Sequence, residues 1–115
     1  MMPNATVFKV VLLLPNEERS VEVGIEEHIW DAAFTAGVEL PALCHQGRCL
    51  TCAGRLETCG EVDQSDSVNY CPQDRESGFV LLCTGKPRSS LRIRTHQQSE
   101  MRKHRIQNRL SAPYS

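Results

Sequence analysis

Pro41-Ala42-Leu43-Cys44-His45-Gln46-Gly47-Arg48-Cys49-Leu50-Thr51-Cys52-Ala53-Gly54 is the stretch that decides how this chain of 115 residues folds. It holds three cysteines within nine residues, and thirty residues separate the third from a fourth, Cys83. Pro41 disfavours a helix or an inner strand, and Gly47 permits a tight turn, so the sequence predicts a loop. The backbone N–H groups of such a loop can stabilise negative charge on sulfur. We therefore interpret it as a metal-binding loop around which the fold is built.

The spacing of the four cysteines indicates which metal group they hold. Four residues separate Cys44 from Cys49 and two separate Cys49 from Cys52, which is the known plant-type [2Fe-2S] spacing when a fourth cysteine follows far downstream. A structural zinc site is the main alternative, but such sites usually pair two Cys-x2-Cys units and this chain has one. A thioredoxin-type motif should begin a helix, whereas the residues after Cys52 favour a strand. A Rieske site needs two histidine ligands, and His45 has no partner in a Cys-x-His setting.

Hydrophobic patterns on both sides of the loop predict a mixed α+β fold. Residues 6–13 and 20–23 favour a hairpin, and the apolar spacing from Ile29 to Ala36 predicts a helix that Gly37 ends. Residues 53–57 form a short strand candidate, and the apolar run 79–82 predicts a buried strand leading to Cys83. The polar stretch 59–72 predicts a loop, with one helical turn towards residue 76. Residues 91–94 alternate apolar and basic side chains, as expected of a final edge strand.

Composition changes near residue 97, which divides the chain into a domain that carries the metal-binding cysteines, residues 1–97, and a basic C-terminal extension, residues 98–115. We predict that the extension is flexible or weakly helical, with Ile106 and Leu110 as apolar contacts at helical spacing. Charge is also divided, because residues 1–47 carry seven acidic and two basic side chains, and residues 86–115 carry eight basic and one acidic. The net charge of −1 therefore conceals a dipolar molecule, which can orient a partner during encounter.

At the cysteine loop the chain resembles the plant-type ferredoxins of chloroplasts and cyanobacteria. The resemblance covers about residues 7–97 and includes the segments 52–56, 62–66 and 78–83. It implies the β-grasp ferredoxin fold, one [2Fe-2S] cluster, and an electron carrier without enzymatic activity. It also implies that Cys44 and Cys49 hold the outer iron, which takes the electron, while Cys52 and Cys83 hold the inner one. The predicted cluster-binding residues are Cys44, His45, Gly47, Arg48, Cys49, Leu50, Thr51, Cys52 and Cys83.

Several positions differ from what this family commonly shows, and they concern its partners. Asn69 stands where many members have an exposed phenylalanine, and the C-terminus is basic rather than acidic. We therefore expect a one-electron carrier that serves a partner other than the usual ferredoxin–NADP reductase, including an acidic protein that binds the C-terminal extension.

Arg48 places a fixed positive charge beside the cluster, so we predict a midpoint potential less negative than roughly −400 mV. The alternative is a redox-sensing or regulatory iron–sulfur module that acts through partner binding.

The remaining features point to a monomeric carrier in a reducing compartment. The start of the chain lacks the pattern of a secretory signal, and no apolar run is long enough to insert into a membrane. The basic extension lacks the interleaved aromatics of a nucleic-acid surface. Cys59 and Cys71 lie in the polar stretch and are expected to be free thiols rather than ligands. We expect a location in the cytoplasm of a cyanobacterium-like cell or in the chloroplast stroma.

Overall fold

Seven strands and three helices lie within residues 6–41, 50–67 and 70–110, the part of the chain that this computed structural model describes. The strands are β1 Val7–Leu13, β2 Glu18–Gly24, β3 Ala53–Leu56, β4 Val62–Asp63, β5 Phe79–Leu81, β6 Lys86–Pro87 and β7 Leu91–Arg94. The helices are α1 Ile29–Thr35, α2 Pro72–Glu76 and α3 Gln98–Gln107.

Five of these strands form one mixed sheet in the order β2-β1-β7-β3-β5. Strands β1 and β2 form the predicted antiparallel hairpin, in which Val10 lies opposite Val21. β1 pairs with β7 in parallel, whereas β3 is antiparallel to both of its neighbours. β4 and β6 form a separate two-stranded ribbon. This mixed sheet, with helix α1 packed against β2, confirms the expected α+β, β-grasp architecture.

Strand β7 corrects one expectation, because it lies inside the sheet between β1 and β3 rather than at an edge. Its alternation is as predicted, with Leu91 and Ile93 buried and Arg92 and Arg94 exposed. Alternating apolar and polar side chains indicate only that one face of a strand is exposed to solvent. A central strand of an antiparallel or mixed sheet has the same pattern when one face of the sheet is uncovered. The pattern therefore could not distinguish an edge strand from a central one.

Helix α1 forms where the sequence predicts it, because its apolar side chains recur on one face. Ile29, Ala32 and Ala33 are buried against the core, and α1 contacts β2. Gly37 has φ +84°, a left-handed conformation that glycine adopts without the cost that a Cβ would add. The helix therefore ends at the residue that the sequence indicated.

Helix α3 belongs to the basic C-terminal extension, and it packs on the body of the protein through residues that the sequence did not indicate. Met101 and Arg105 are fully buried, whereas Ile106 is 54% exposed and Leu110 is partly exposed. The prediction that Ile106 makes the contact was therefore wrong, whereas Leu110 is only partly exposed. The face of α3 that meets α2 and β3 carries one apolar side chain and one cation, which hydrophobic periodicity does not detect.

Candidate metal centre

Two of the predicted ligands, Cys52 and Cys83, meet in the core at the ends of two neighbouring strands. Cys52 immediately precedes β3, and Cys83 follows β5 by two residues. Their Sγ atoms are 2.9 Å apart, and the residues are only 1% and 2% exposed. Because a disulfide bond is about 2.05 Å long, this separation is that of two thiol sulfurs directed to one place rather than of a disulfide. The Leu82 N–H donates to the Cys52 carbonyl at 3.2 Å and fixes the two segments side by side.

The other predicted site residues divide between the described and the undescribed parts of the chain. Cys44, His45, Gly47, Arg48 and Cys49 lie outside the described residues. Within the described ranges no group of three or more His, Cys, Asp or Glu side chains gathers to form a metal site.

Leu50 and Thr51 connect the loop to Cys52, and the surroundings of both are consistent with a position next to a bound cluster. Leu50 is fully buried, and the Leu50 carbonyl accepts a hydrogen bond from the Ala53 N–H at 3.0 Å. The Thr51 hydroxyl oxygen is buried and has no hydrogen-bond partner among the residues that the structure describes. A buried hydroxyl normally has a partner. Together with a pair of buried thiols, an unsatisfied hydroxyl suits an acceptor-rich group such as an iron–sulfur cluster.

Gln64 fixes the strand that delivers Cys83, which sequence reasoning missed. Its buried amide accepts a hydrogen bond from the Leu81 N–H at 2.7 Å and donates to the Leu81 carbonyl at 3.3 Å. Next to it, the Ser67 and Thr84 hydroxyls are 2.6 Å apart. Gln64 lies in a stretch whose polarity predicts a solvated loop. Its sequence signals are its place two residues after Val62 and within the segment 62–66 that resembles the family.

Helix α1 begins against the chain that surrounds Cys83. The Ile29 N–H donates to the Gly85 carbonyl and the Trp30 N–H to the Leu82 carbonyl, each at 2.9 Å. The first N–H groups of a helix have no partner within the helix, so these carbonyls satisfy them. The Trp30 indole Nε1 also donates to the Leu40 carbonyl at 2.9 Å, four residues before Cys44. Trp30 therefore joins the two chain segments that lead to Cys44 and Cys83.

A group of ion pairs surrounds the start of α1. His28 Nε2 lies 2.9 Å from Asp66 Oδ2, and Lys86 Nζ lies 3.1 Å from the same oxygen. The hydrogen bond with His28 lowers the pKa of Asp66, and the hydrogen bond with Asp66 raises the pKa of Lys86. These side chains are partly exposed, so the pairs orient the segment more than they stabilise it.

The structure assigns different surroundings to the two cysteines that we did not expect to be ligands. Cys59 is an exposed free thiol. Cys71 is a partly buried thiol at the N-cap of α2, where its side chain accepts a hydrogen bond from the Asp74 N–H. The Asp74 carboxylate in turn accepts from the Cys71 N–H at 2.9 Å. Cys71 thus has a capping role that cysteine rarely has and that its sequence position did not reveal.

The surface of the described residues holds shallow cavities away from the two thiols. One of about 350 Å³ is lined by Gln64, Tyr70, Cys71 and Arg75, among others, and contains neither Cys52 nor Cys83. Burial raises the pKa of Tyr70, which lines this cavity, to about 12. None of the helices in the described ranges is long and apolar enough to cross a bilayer.

The family model of the 2Fe-2S iron-sulfur cluster binding domain matches residues 14–88. Ferredoxin-2 of Synechococcus sp. is 37% identical over 94 residues, which cover 82% of this chain and 89% of that protein. The heterocyst ferredoxin of Nostoc sp. is 42% identical over 81 residues, 70% of this chain and 81% of that protein. The chloroplastic Ferredoxin-6 of Zea mays is 39% identical over 98 residues, 84% of this chain and 63% of that protein.

Among solved structures, a crystal structure of Pectocin M2 superposes with a TM-score of 0.69 at 27% sequence identity. The match covers 90% of this chain but only 41% of the Pectocin M2 chain, so this chain spans less than half of that protein. The family match covers more than half of the chain, and the relatives from cyanobacteria and maize are ferredoxins over most of its length. The chain therefore belongs to the plant-type ferredoxins, electron carriers whose cofactor is a single [2Fe-2S] cluster.

Proposed function

We propose that Cys44, Cys49, Cys52 and Cys83 hold the cluster and that the protein carries one electron at a time without a catalytic acid or base of its own. The observation that carries this assignment is the pair of buried sulfurs, Cys52 and Cys83, at 2.9 Å. Their burial supports an inner position for the iron that they would bind, with Cys44 and Cys49 on the outer side. When bound, the cluster accepts and releases one electron, and the chain sets its potential and its exposure to partners.

Serine substitutions test the ligand assignment. Replacing Cys44, Cys49, Cys52 or Cys83 singly should abolish or strongly alter the EPR signal of the reduced protein and lower its iron and sulfide content. Cys59→Ser and Cys71→Ser are the matched controls, and Cys71→Ser suits this purpose because serine is itself a preferred N-cap. A normal cluster in any of the four ligand variants, or loss of the cluster in both controls, would contradict the assignment.

Around the sulfurs, the proposed cluster-binding set is completed by His45, Gly47, Arg48, Leu50 and Thr51. Leu50 excludes water from the inner side because it is fully buried, and the Thr51 hydroxyl has an unfilled capacity for a hydrogen bond. Arg48 favours the reduced form by its charge, so redox titration should give a midpoint less negative than roughly −400 mV. Arg48→Ala should move the midpoint to a more negative value, and an unchanged potential would remove the role given to this residue.

We further propose that the physiological partner is not the usual ferredoxin–NADP reductase and that at least one partner is an acidic protein that contacts α3. Lys103 and Arg109 support this, because both are exposed on or just after α3. Arg105 is buried and takes no part. A plant ferredoxin–NADP reductase should therefore reduce the holo-protein more slowly than it reduces a cyanobacterial vegetative ferredoxin. Equal rates would contradict this partner assignment.

Deleting residues 99–115 would be a poor test of α3, because it would also remove Met101 and Arg105 from the interior. The double variant Lys103→Glu/Arg109→Glu reverses exposed charge and leaves the buried contacts in place. It should slow electron transfer to an acidic partner and flatten its dependence on salt. Kinetics equal to wild type would exclude α3 as the contact surface.

One observation favours the alternative function, a redox-sensing or regulatory module. Cys71 accepts a hydrogen bond from the Asp74 backbone, and the Asp74 carboxylate binds Arg105 of α3, so Cys71 is two contacts away from the C-terminal helix. A sensor should bind its partner with an affinity that depends on cluster oxidation state or on oxidation of Cys59 and Cys71. A carrier should show rapid electron transfer and only a small difference in affinity between its two states.

The remaining assignments follow from the relatives and from the chain. We propose that residues 98–115 are an extension packed on the ferredoxin domain of residues 1–97, that the protein is monomeric, and that it is located in the cyanobacterial cytoplasm or the chloroplast stroma. Relatives from Synechococcus and from maize chloroplasts support the location. Light scattering on the holo-protein should give the mass of one chain, 12.9 kDa plus the cluster.

A further inference from the structure

A cavity of about 280 Å³ lies where helix α3 meets strands β3 and β5. Its wall consists of polar and charged side chains, except for the ring of Phe79. Such a lining suits a small polar ligand rather than an apolar one. Neither Cys52 nor Cys83 contributes to the wall, so the cavity is a different place from the metal centre.

Arg55 is the cation that the fold holds in position at this cavity. Its Nε donates to the Ser77 carbonyl at 3.1 Å, and its guanidinium lies over the Phe79 ring, 4.6 Å from the ring centroid. Together these contacts fix the plane of the guanidinium. Within residues 6–41, 50–67 and 70–110, neither terminal nitrogen of Arg55 has an acceptor. A guanidinium that is fixed in this way can donate to two oxygens of one anion at the same time.

The arginines beside Arg55 on the sheet are already paired with carboxylates. Arg94 lies opposite Arg55 in the register of β3 and β7, and its Nε donates to Glu57 Oε2 at 2.9 Å. Arg92 Nη2 lies 3.3 Å from Glu18 Oε1. Arg55 forms no ion pair with a carboxylate in the described part of the chain. An external anion can therefore balance its charge without displacing an acidic side chain of the protein.

Further donors approach the cavity from two other directions. The Ser77 hydroxyl lies 3.4 Å from His104 Nδ1, a long contact that leaves the O–H able to rotate towards a ligand. Lys103 and Gln107 are exposed and lie one turn apart on α3. Lys103 Nζ is 3.7 Å from Glu100 Oε2, and both side chains are more than half exposed, so this ion pair is weak. Lys103 can therefore exchange Glu100 for a ligand with more charge.

We propose that this cavity binds the phosphate group of a small molecule. Its donors come from β3, from the turn before β5 and from α3, so they converge on a ligand from three sides. A tetrahedral phosphate has enough oxygens to accept from all three sides at once, whereas a planar carboxylate occupies only the guanidinium. The proposal goes beyond the electron-carrier function and does not depend on it, because the cavity includes none of the four proposed cluster ligands.

An NMR titration of the oxidised holo-protein with inorganic phosphate, at constant ionic strength in a buffer free of phosphate, tests the site. The amide signals of Arg55, Ser77 and residues 103–107 should shift and reach saturation at millimolar phosphate. Arg55→Gln should weaken binding by about tenfold or more, because the contact with two oxygens is lost. Arg55→Lys keeps the charge without the planar fork and should weaken it less. Glu100→Gln removes a competing carboxylate and should strengthen binding by about two- to fivefold.

Arg94→Gln is the matched control, because Arg94 lies opposite Arg55 and is already paired with Glu57. It should bind phosphate within about twofold of wild type. Signals that do not saturate, equal affinity of Arg55→Gln and Arg94→Gln, or acetate binding as tight as that of phosphate would each overturn the proposal. Glycerol 3-phosphate separates the two sources of the group: tighter binding than inorganic phosphate identifies a phosphate monoester, and equal or weaker binding identifies phosphate itself. The cluster absorbance of every variant verifies that the compared proteins are folded.

Discussion

Helices α1 and α3 flank the same small domain but are attached to it by opposite means. Helix α1 buries the apolar side chains Ile29, Ala32 and Ala33 and keeps its ion pairs at the surface. Helix α3 buries a cation: Arg105 and Asp74 are both 0% exposed, with Nε–Oδ1 and Nη2–Oδ2 distances of 2.9 and 2.6 Å. His104 Nε2 also lies 3.2 Å from Asp74 Oδ1, without hydrogen-bond geometry. For an apolar contact, the loss of stability increases with the size of the group that is removed. For a buried ion pair, removing either partner leaves an uncompensated charge and is strongly destabilising.

The largest effect should follow from breaking that pair. Arg105→Met leaves Asp74 as a buried carboxylate without its cation, so the free energy of unfolding should fall by about 3 to 5 kcal/mol. The double variant Arg105→Met/Asp74→Asn removes both charges and should recover much of that loss. Chemical unfolding of the holo-proteins measures both values. Arg109→Met, a change of an exposed arginine on the same segment, should be close to neutral, and an equally small effect at Arg105 would refute the importance of the pair.

Truncating one buried apolar side chain in each helix should destabilise the protein by a similar amount. Ile29→Ala in α1 and Met101→Ala in α3 both remove a fully buried side chain. Each should lower the free energy of unfolding by on the order of 3 kcal/mol, because a cavity remains where the side chain was. Thermal and urea unfolding measure the two values side by side. A much smaller cost at Met101 would mean that the ion pair alone holds α3.

A smaller effect is expected where α1 meets the loop. Trp30→Phe keeps an aromatic ring beside Phe34 but removes the indole donor, so the Leu40 carbonyl loses its 2.9 Å hydrogen bond. The free energy of unfolding should fall by about 1 kcal/mol. Urea unfolding measures this loss, and Phe34→Ala is the comparison because it removes an exposed ring without a hydrogen bond. A loss as large as that of Arg105→Met would show that Trp30 supports more than one carbonyl.

The smallest expected effect is a loss of stability at alkaline pH, to which Tyr70 and, on the α1 side, Lys86 both contribute. Burial raises the Tyr70 pKa from 10.0 to about 12, so between these values the unfolded chain releases a proton that the folded chain keeps. The contribution of Tyr70 is therefore present below pH 10 and is lost as pH rises towards 12. Lys86, on the α1 side, also has a raised pKa and loses its contribution as pH increases past 10.5. The free energy of unfolding, measured at several alkaline pH values, should fall less steeply with pH for Tyr70→Phe than for wild type. An equal pH dependence in the two proteins would contradict this.

Sequence patterns predicted α1 but not the attachment of α3, and the reason is the kind of contact each makes. Apolar side chains at helical spacing and a final glycine indicated α1 from Ile29 to Gly37. The attachment of α3 depends on Asp74, which is 31 residues from Arg105 in sequence, and no local pattern indicates such a pair. Charge in the extension favoured a solvated tail, because arginine is seldom fully buried without a partner.

The same contrast applies to the metal centre. Four cysteines at a specific spacing indicated the cluster, since ligand chemistry restricts the spacing, and this cofactor is confirmed by the family. The amide of Gln64 and the cap at Cys71 were not predictable, because each depends on which backbone groups the fold brings to it. The place of β7 inside the sheet likewise depends on its pairing with β1 and β3 rather than on its own residues.

The Asp74–Arg105 pair has a consequence for the order in which the protein is made. The ribosome releases Asp74 well before Arg105, because Arg105 is 31 positions further along the chain. Until Arg105 follows, Asp74 must remain hydrated, so the segment around α2 cannot complete its packing. A nascent chain interrupted before Arg105 would therefore remain partly open and accessible to proteases. The interior around α2 is therefore complete only after α3 has been synthesised and Arg105 has paired with Asp74.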